Sequence, residues 1–189
     1  KTMGKQVEWV DIDFKGLIPG LISKRFDMAV SAIYITDERK KVVDFTDSYY
    51  AGGLVVIVKA DNKVINKLAD LDGKKVSVQV GTKSVSYLTE KFPKVQRVEV
   101  EKNQEMFNLV DIGRADAAVT GKPAAFQYVR TRPGLRVLDE QLTTEEYGMA
   151  LRKDTPELTK AVNGAIAKLK ADGTYAGIVK KWFSNSAAK

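Results

Sequence analysis

Cysteine and histidine are both absent from the 189-residue chain. Without thiols there are no disulfides and no cysteine nucleophile, and without imidazole the Ser/His and Cys/His triads and most zinc and copper sites are excluded. Long apolar runs are also missing. The longest, Leu54 to Val58, falls far short of the roughly 18 to 20 residues of a membrane-spanning helix. No lysine/arginine block interleaved with aromatics occurs, so the formal charge of +7 does not point to nucleic acid. Basic and acidic residues alternate along most of the chain, as on a solvated surface. The opening KTMGKQ has neither an apolar core segment nor a small-residue cleavage site, so no secretory signal lies within this sequence. Carboxylates are plentiful, and Asp44, Asp47, Glu145 and Glu146 are candidates for an acid/base pair, but no spacing selects two of them.

What remains is a chain with 44% hydrophobic and 29% charged residues, enough for a buried core in one domain or two small lobes. KQVEWV alternates as a half-buried strand, and Leu17, Ile18, Leu21 and Ile22 follow at helical spacing, with Asp13 as N-cap and Pro19 early in the helix. DMAVSAI is strand-like, so the three segments read as a βαβ unit. After LVVIV the alternation resumes: KKVSVQV strand, a helix opened by GTKS, VQRVEVE strand, NQEMFNLVDIG helix, ADAAVT strand, KPAAFQYVRT helix and GLRVL strand. A long helix then opens at Thr155 and Pro156, carries a Leu158, Val162, Ile166, Leu169 stripe and stops at Gly173. TYAGIVKKWF forms a shorter packing helix, and the tail SNSAAK reads as loose. The fold class is therefore α/β.

Several residues sit where open α/β sheets bind ligands, at the C-terminal ends of strands. Ser31 and Ala32 close the DMAVSAI strand, Tyr34 follows, and Thr36 and Asp37 are placed to cap a short helix holding Arg39. An arginine fork held there grips a carboxylate through two hydrogen bonds, although DERKK also reads as a plain charged surface run. GTKS, residues 81 to 84, lies between strand and helix, where its amides and the Thr82 hydroxyl face an anion at the positive helix end. It lacks the spacing of a phosphate loop or a dinucleotide fingerprint. Phe14, at a strand-to-helix junction, serves either as core or as one wall of a pocket.

The ordered set DFKGLIPGL, FDMAVSAIYITDERKKVVDFTDSYY, GLVVIVKA, LADLDGKKVSVQVGT, GRADAAVTGKPA, YGMALRKD and LKADGTYAGIVKKWF resembles the solute-binding proteins of polar amino-acid ABC transporters, nearest the glutamine-binding branch. The resemblance implies a two-lobed, type II periplasmic-binding-protein-like α/β fold closing over one amino acid. Lobe one would comprise residues 1–53 and 152–189 and lobe two residues 59–145, with hinge strands at about 54–58 and 146–151. It implies a periplasmic or extracytoplasmic location, a permease partner, no cofactor and no catalysis. By the same resemblance Arg39 takes the ligand α-carboxylate, with Ser31, Ala32 and the backbone near Tyr34, and with Thr82 of lobe two; Phe14 packs on the ligand side chain and Gln79 faces it.

Three departures from the family pattern carry consequences. Gly121 stands where the family has an aspartate for the ligand ammonium, with Lys122 beside it. Tyr34 and Lys83 replace small residues, which makes the expected pocket bulkier and more cationic and raises an acidic amino acid or small carboxylate as the ligand. The family also begins with a strand, a pocket loop and a helix that this sequence does not contain. A lobe without them exposes strand edges and apolar surface, binds ligand weakly and calls for a missing N-terminal segment or a complementing chain. A dehydratase-like enzyme on the same fold needs a general acid in the cleft, and a receptor-channel ligand core needs membrane segments.

Overall fold

The computed structural model describes residues 2–183, and the segment SNSAAK lies outside them. The chain divides into two compact units, Lys1–Ala51 with Glu146–Lys189, and Gly52–Glu145.

The first unit opens without the strand expected at KQVEWV. Residues 4–13 carry no regular structure, and Val7, Trp9 and Val10 are exposed, Trp9 to 83%. An alternating sequence gives a strand only where an edge accepts its hydrogen bonds, and no described strand pairs with this one. The βαβ unit therefore does not form. A 3-10 turn at Phe14–Gly16 leads into α1, Leu17–Ile22, which buries Leu17 and Leu21 and leaves Ile22 at the surface. Asp13 occupies the N-cap, but its backbone carbonyl, not its side chain, accepts the Gly16 N–H. Then come β1 (Met28–Tyr34), the single-turn α2 (Asp37–Lys40) and two short strands, β2 (Asp44–Phe45) and β3 (Tyr50–Ala51).

The second unit carries a five-stranded sheet and three helices. Its strands are β4 (Leu54–Lys59), β5 (Lys75–Gln79), β6 (Gln96–Val100), β7 (Ala117–Gly121) and β8 (Leu135–Gln141). Its helices are α3 (Lys83–Lys91), α4 (Asn103–Asp111) and α5 (Lys122–Thr131). The strand order is β6-β5-β7-β4-β8, with β5 parallel to both β6 and β7, and β4 antiparallel to β7 and β8. Leu54 to Val58 are all buried, as an uninterrupted apolar run demands of a strand covered on both faces. Ile57, Met106, Phe107, Val110, Ala118 and Ala125 form the centre of the core. Gly53, at φ +125, precedes this strand where any side chain would meet the Thr143 carbonyl.

The chain returns to the first unit through β9, Glu146–Leu151, followed by α6, Pro156–Ala171, and α7, Thr174–Phe183. In that unit β9 is the centre of the sheet, antiparallel to β1 on one side and to β2 and β3 on the other. One face packs Leu17, Leu21, Ile33 and Val43; the other packs Leu151 against Val162 and Ile166 of α6. Thr155 stands at the α6 N-cap but donates its hydroxyl to the Arg152 carbonyl. Contrary to its expected packing role, α7 leaves Ile178 and Trp182 about half exposed, because only α6 among the described elements makes substantial contact with it.

Candidate functional site

In the first unit the site residues gather where β1 ends. Thr36 is extended and its Oγ1 accepts the Arg39 N–H at 3.2 Å, closing the one-turn α2, while Asp37 and Glu38 complement the positive helix start. The helix turns the half-buried Arg39 back over β1, where its Nη1 donates to the Tyr34 carbonyl at 2.9 Å. The guanidinium carbon lies 5.7 Å from the centroid of the Phe14 ring, a cation–π distance. Burial lowers the Arg39 pKa against the raising effect of Glu38, and guanidinium keeps its charge under such shifts. The result is a planar, oriented cation on an aromatic wall, suited to a carboxylate.

The strand beneath is irregular. The β1–β9 register shifts between Ala29 and Ile33, and within that stretch Ser31 and Ala32 are exposed, with Ala32 at φ +47. Tyr34 presents its backbone to the site, whereas its ring is buried and stacks on Tyr147 at 4.5 Å between centroids. The Tyr147 hydroxyl donates to the Tyr34 hydroxyl at 2.9 Å, which satisfies both phenols internally. Tyr34 therefore fills the interior and does not bulk up the surface beside Arg39. Tyr147 is absent from the sequence-derived site, since no spacing links positions 34 and 147.

In the second unit the predicted residues meet at the C-terminal ends of the parallel strands. Gln79 ends β5 and its Nε2 donates to the Glu101 carbonyl at 2.9 Å. Gly81, at φ +76, turns the chain, and Thr82 takes the N-cap position of α3. Its hydroxyl donates back to the Gln79 carbonyl at 2.7 Å, leaving the helix start without a side-chain cap. Lys83 begins α3, its Nζ 3.8 Å from Glu145 Oε1. Gly121 takes the N-cap position of α5, also without a side-chain cap. Lys122 anchors there through its N–H to the Gly53 carbonyl and its Nζ to Gln141 Oε1 at 3.3 Å. Two positive helix ends thus open at neighbouring strand termini, a setting that favours anionic groups. Of the carboxylates weighed as an acid/base pair, Glu145 lies here, while Asp44 pairs with Lys153 at 3.5 Å. Glu145 carries no motif, and only the fold brings it to Lys83.

The model of bacterial extracellular solute-binding proteins, family 3, matches residues 1–185. The ABC transporter arginine-binding protein 1 of Escherichia coli is 34% identical, covering 97% of this chain and 76% of the relative. The glutamine-binding protein GlnH of Bacillus subtilis is 31% identical over 98% of this chain and 68% of its own length. Among solved structures, an ancestral arginine-binding protein, described with arginine and with glutamine bound, superposes with a TM-score of 0.91 at 39% identity, covering 96% of this chain and 82% of that one. The ancestral amino-acid-binding protein AncCDT-1, a precursor of cyclohexadienyl dehydratase, gives 0.90 at 42% identity over 95% of this chain and 79% of that one. With a family match along nearly the whole length and a two-unit α/β architecture, this chain belongs to the bacterial extracellular solute-binding proteins, family 3.

Proposed function

We propose that this chain binds a polar amino acid of glutamine-like character outside the cytoplasm and delivers it to the permease of an ABC transporter. The observation that carries this reading is Arg39: a half-buried guanidinium, oriented by the Tyr34 carbonyl and seated on Phe14. In this reading Arg39 holds the ligand α-carboxylate and Phe14 contacts its side chain. The irregular backbone at Ser31 and Ala32, with Tyr34, supplies further polar contacts from the first unit. Gln79, Thr82, Lys83 and Gly121 are the candidate ligand contacts of the second unit taken by itself. The relatives described as arginine- and glutamine-binding support an amino acid as the ligand class. The role is binding rather than catalysis; AncCDT-1 is itself described as amino-acid-binding.

An acidic amino acid or a small carboxylate is a second reading, favoured by the uncapped starts of α3 and α5 with Lys83 and Lys122 upon them. A thermal-shift screen of the twenty amino acids and small dicarboxylates separates the two, since a ligand that binds only the folded state raises the melting temperature by mass action. Glutamine raises it and glutamate does not on the first reading; the reverse holds on the second. Arg39→Ala lowers the affinity of the responding ligand about 10- to 100-fold by calorimetry, the scale of lost hydrogen bonds to a charged group. Arg39→Lys recovers little of the loss, because an ammonium cannot reproduce the planar fork. Full affinity in Arg39→Ala would remove the proposed clamp.

A further inference from the structure

Two aliphatic side chains of the first unit stand half in water around one open cavity. Ile22, the last residue of α1, is 55% exposed, and Val42, just past α2, is 48% exposed. They line the cavity, about 200 Å³ in volume, with the buried Val43 and a rim of Lys24, Arg152, Lys153 and Asp154. It lies where Met28 and Asp44 pair with Leu151, the end of the β1–β9 ladder opposite Tyr34. A single exposed aliphatic is ordinary on a protein surface, whereas two sharing a concave site with a charged rim form a recognition feature.

Charge indicates what the rim attracts. Three chain segments supply the cavity, residues 22–27, 40–44 and 152–154, and each carries two cations and one carboxylate. All three carboxylates are engaged within the group. Arg152 Nη1 meets Asp27 at 2.9 Å and its Nε meets Asp154 at 3.0 Å, Lys24 holds the other Asp154 oxygen at 3.0 Å, and Lys153 lies 3.5 Å from Asp44. The surplus cations, Arg25, Lys40 and Lys41, are exposed and make no ion pair among the described residues. An anionic partner with an apolar layer complements such a face. Two aliphatic side chains fall far short of the roughly 1,000 Å² that a stable protein interface buries, and they offer no stripe along which a helix could lay its anchors. A phospholipid surface asks for less: shallow apolar contact, with cations drawn to its phosphates.

We propose that this face docks the protein on an anionic phospholipid surface, Ile22 and Val42 entering the headgroup layer and Arg25, Lys40 and Lys41 lying among lipid phosphates. The inference uses none of the residues assigned to the amino acid and stands apart from that reading.

Co-sedimentation of the full chain with vesicles tests it, comparing equal parts phosphatidylglycerol and phosphatidylcholine with phosphatidylcholine alone. The wild type binds the anionic vesicles and not the neutral ones, and releases them in about 1 M salt, where the screening length falls to about 3 Å. The double variant Lys40→Gln, Lys41→Gln weakens binding about 10- to 30-fold, from about a fivefold loss per cation. A matched loss of charge on the second unit, Lys63→Gln with Lys102→Gln, leaves binding unchanged, which a response to net charge alone would not. Ile22→Ser with Val42→Ser weakens it about 5- to 10-fold, the scale of partial aliphatic burial. All these positions are exposed, so the variants keep the wild-type melting temperature. Absence of binding to anionic vesicles, equal losses in the two lysine variants, or full binding by the Ile22 and Val42 variant overturns the proposal. Binding to poly-L-glutamate without binding to vesicles overturns it in favour of an acidic polypeptide.

Discussion

A few backbone and side-chain positions set the chemistry at the level of single residues. Arg39 acts through two local partners, the Thr36 cap and the Tyr34 carbonyl, both within five residues of it. Such short-range contacts are what a sequence discloses best, and the cap was legible from Thr-Asp-Glu-Arg alone. The strain at Ala32 was not legible. An alanine at φ +47 sits in the left-handed region, where its Cβ crowds the carbonyl, and the register shift in β1 holds it there. Ala32→Gly is expected to raise stability by about 1 kcal/mol, roughly 2 to 4 °C in melting temperature by calorimetry. A fall in melting temperature would show that the methyl packs favourably in spite of its backbone.

Among the elements, β9 organises the first unit. Besides pairing with β1, β2 and β3, it carries Tyr147 into a group of stacked phenols with Tyr34, Tyr49 and Tyr50. Tyr175 of α7 joins from outside by donating its hydroxyl to the Tyr49 carbonyl at 2.5 Å. Burial pushes the Tyr147 pKa far above the ordinary phenol range, with Tyr34, Tyr49 and Tyr50 adding to the shift. Tyr49 is raised by burial against a hydrogen bond to the Ala32 backbone, and Tyr50 by burial and then Tyr175. A raised folded-state pKa means the folded chain keeps protons that the unfolded chain gives up, so this stabilisation is complete below the unfolded phenol value of about 10 and declines as the pH climbs past it. Denaturant titrations at pH 9 and pH 11 should show that decline. Tyr147→Phe should soften it, while losing about 1 kcal/mol at neutral pH with the hydroxyl bond to Tyr34. An equal decline in the variant would place the alkaline sensitivity elsewhere.

The β5 to β8 region was legible almost strand by strand, since each apolar run is flanked by Gly or polar breaks and each finds a partner strand in the same sheet. KQVEWV has the same alternation and forms no strand, because alternation records what a strand would bury and cannot supply the edge it needs. Likewise the α7 stripe is truly amphipathic, yet Ile178 and Trp182 remain half exposed.

At the scale of the whole molecule, the second unit is one continuous segment with its own core, Gly52–Glu145, whereas the first is assembled from both ends of the chain. A continuous segment that buries its own core meets the requirement for independent folding. Excised residues 52–145 should therefore show cooperative thermal unfolding by circular dichroism, and residues 1–51 alone should not, lacking β9 and α6. A featureless melt of the excised segment would show that its core depends on the first unit. Leu54 to Val58, legible as an apolar run and expected as a hinge strand, belongs to the sheet of this segment, paired on both sides.

Composition by itself excluded cysteine and histidine chemistry, the order of apolar runs determined an α/β chain, and the ordered motifs pointed to the family. Tertiary structure alone decided that Tyr34 turns its ring onto Tyr147, that Thr82 bonds back to Gln79, and that a glutamate at position 145 meets a lysine at position 83. The division has a physical cause. Periodicity and capping are written in neighbouring residues, whereas the partner of a buried hydroxyl or carboxylate is chosen by the packing of segments tens of residues apart.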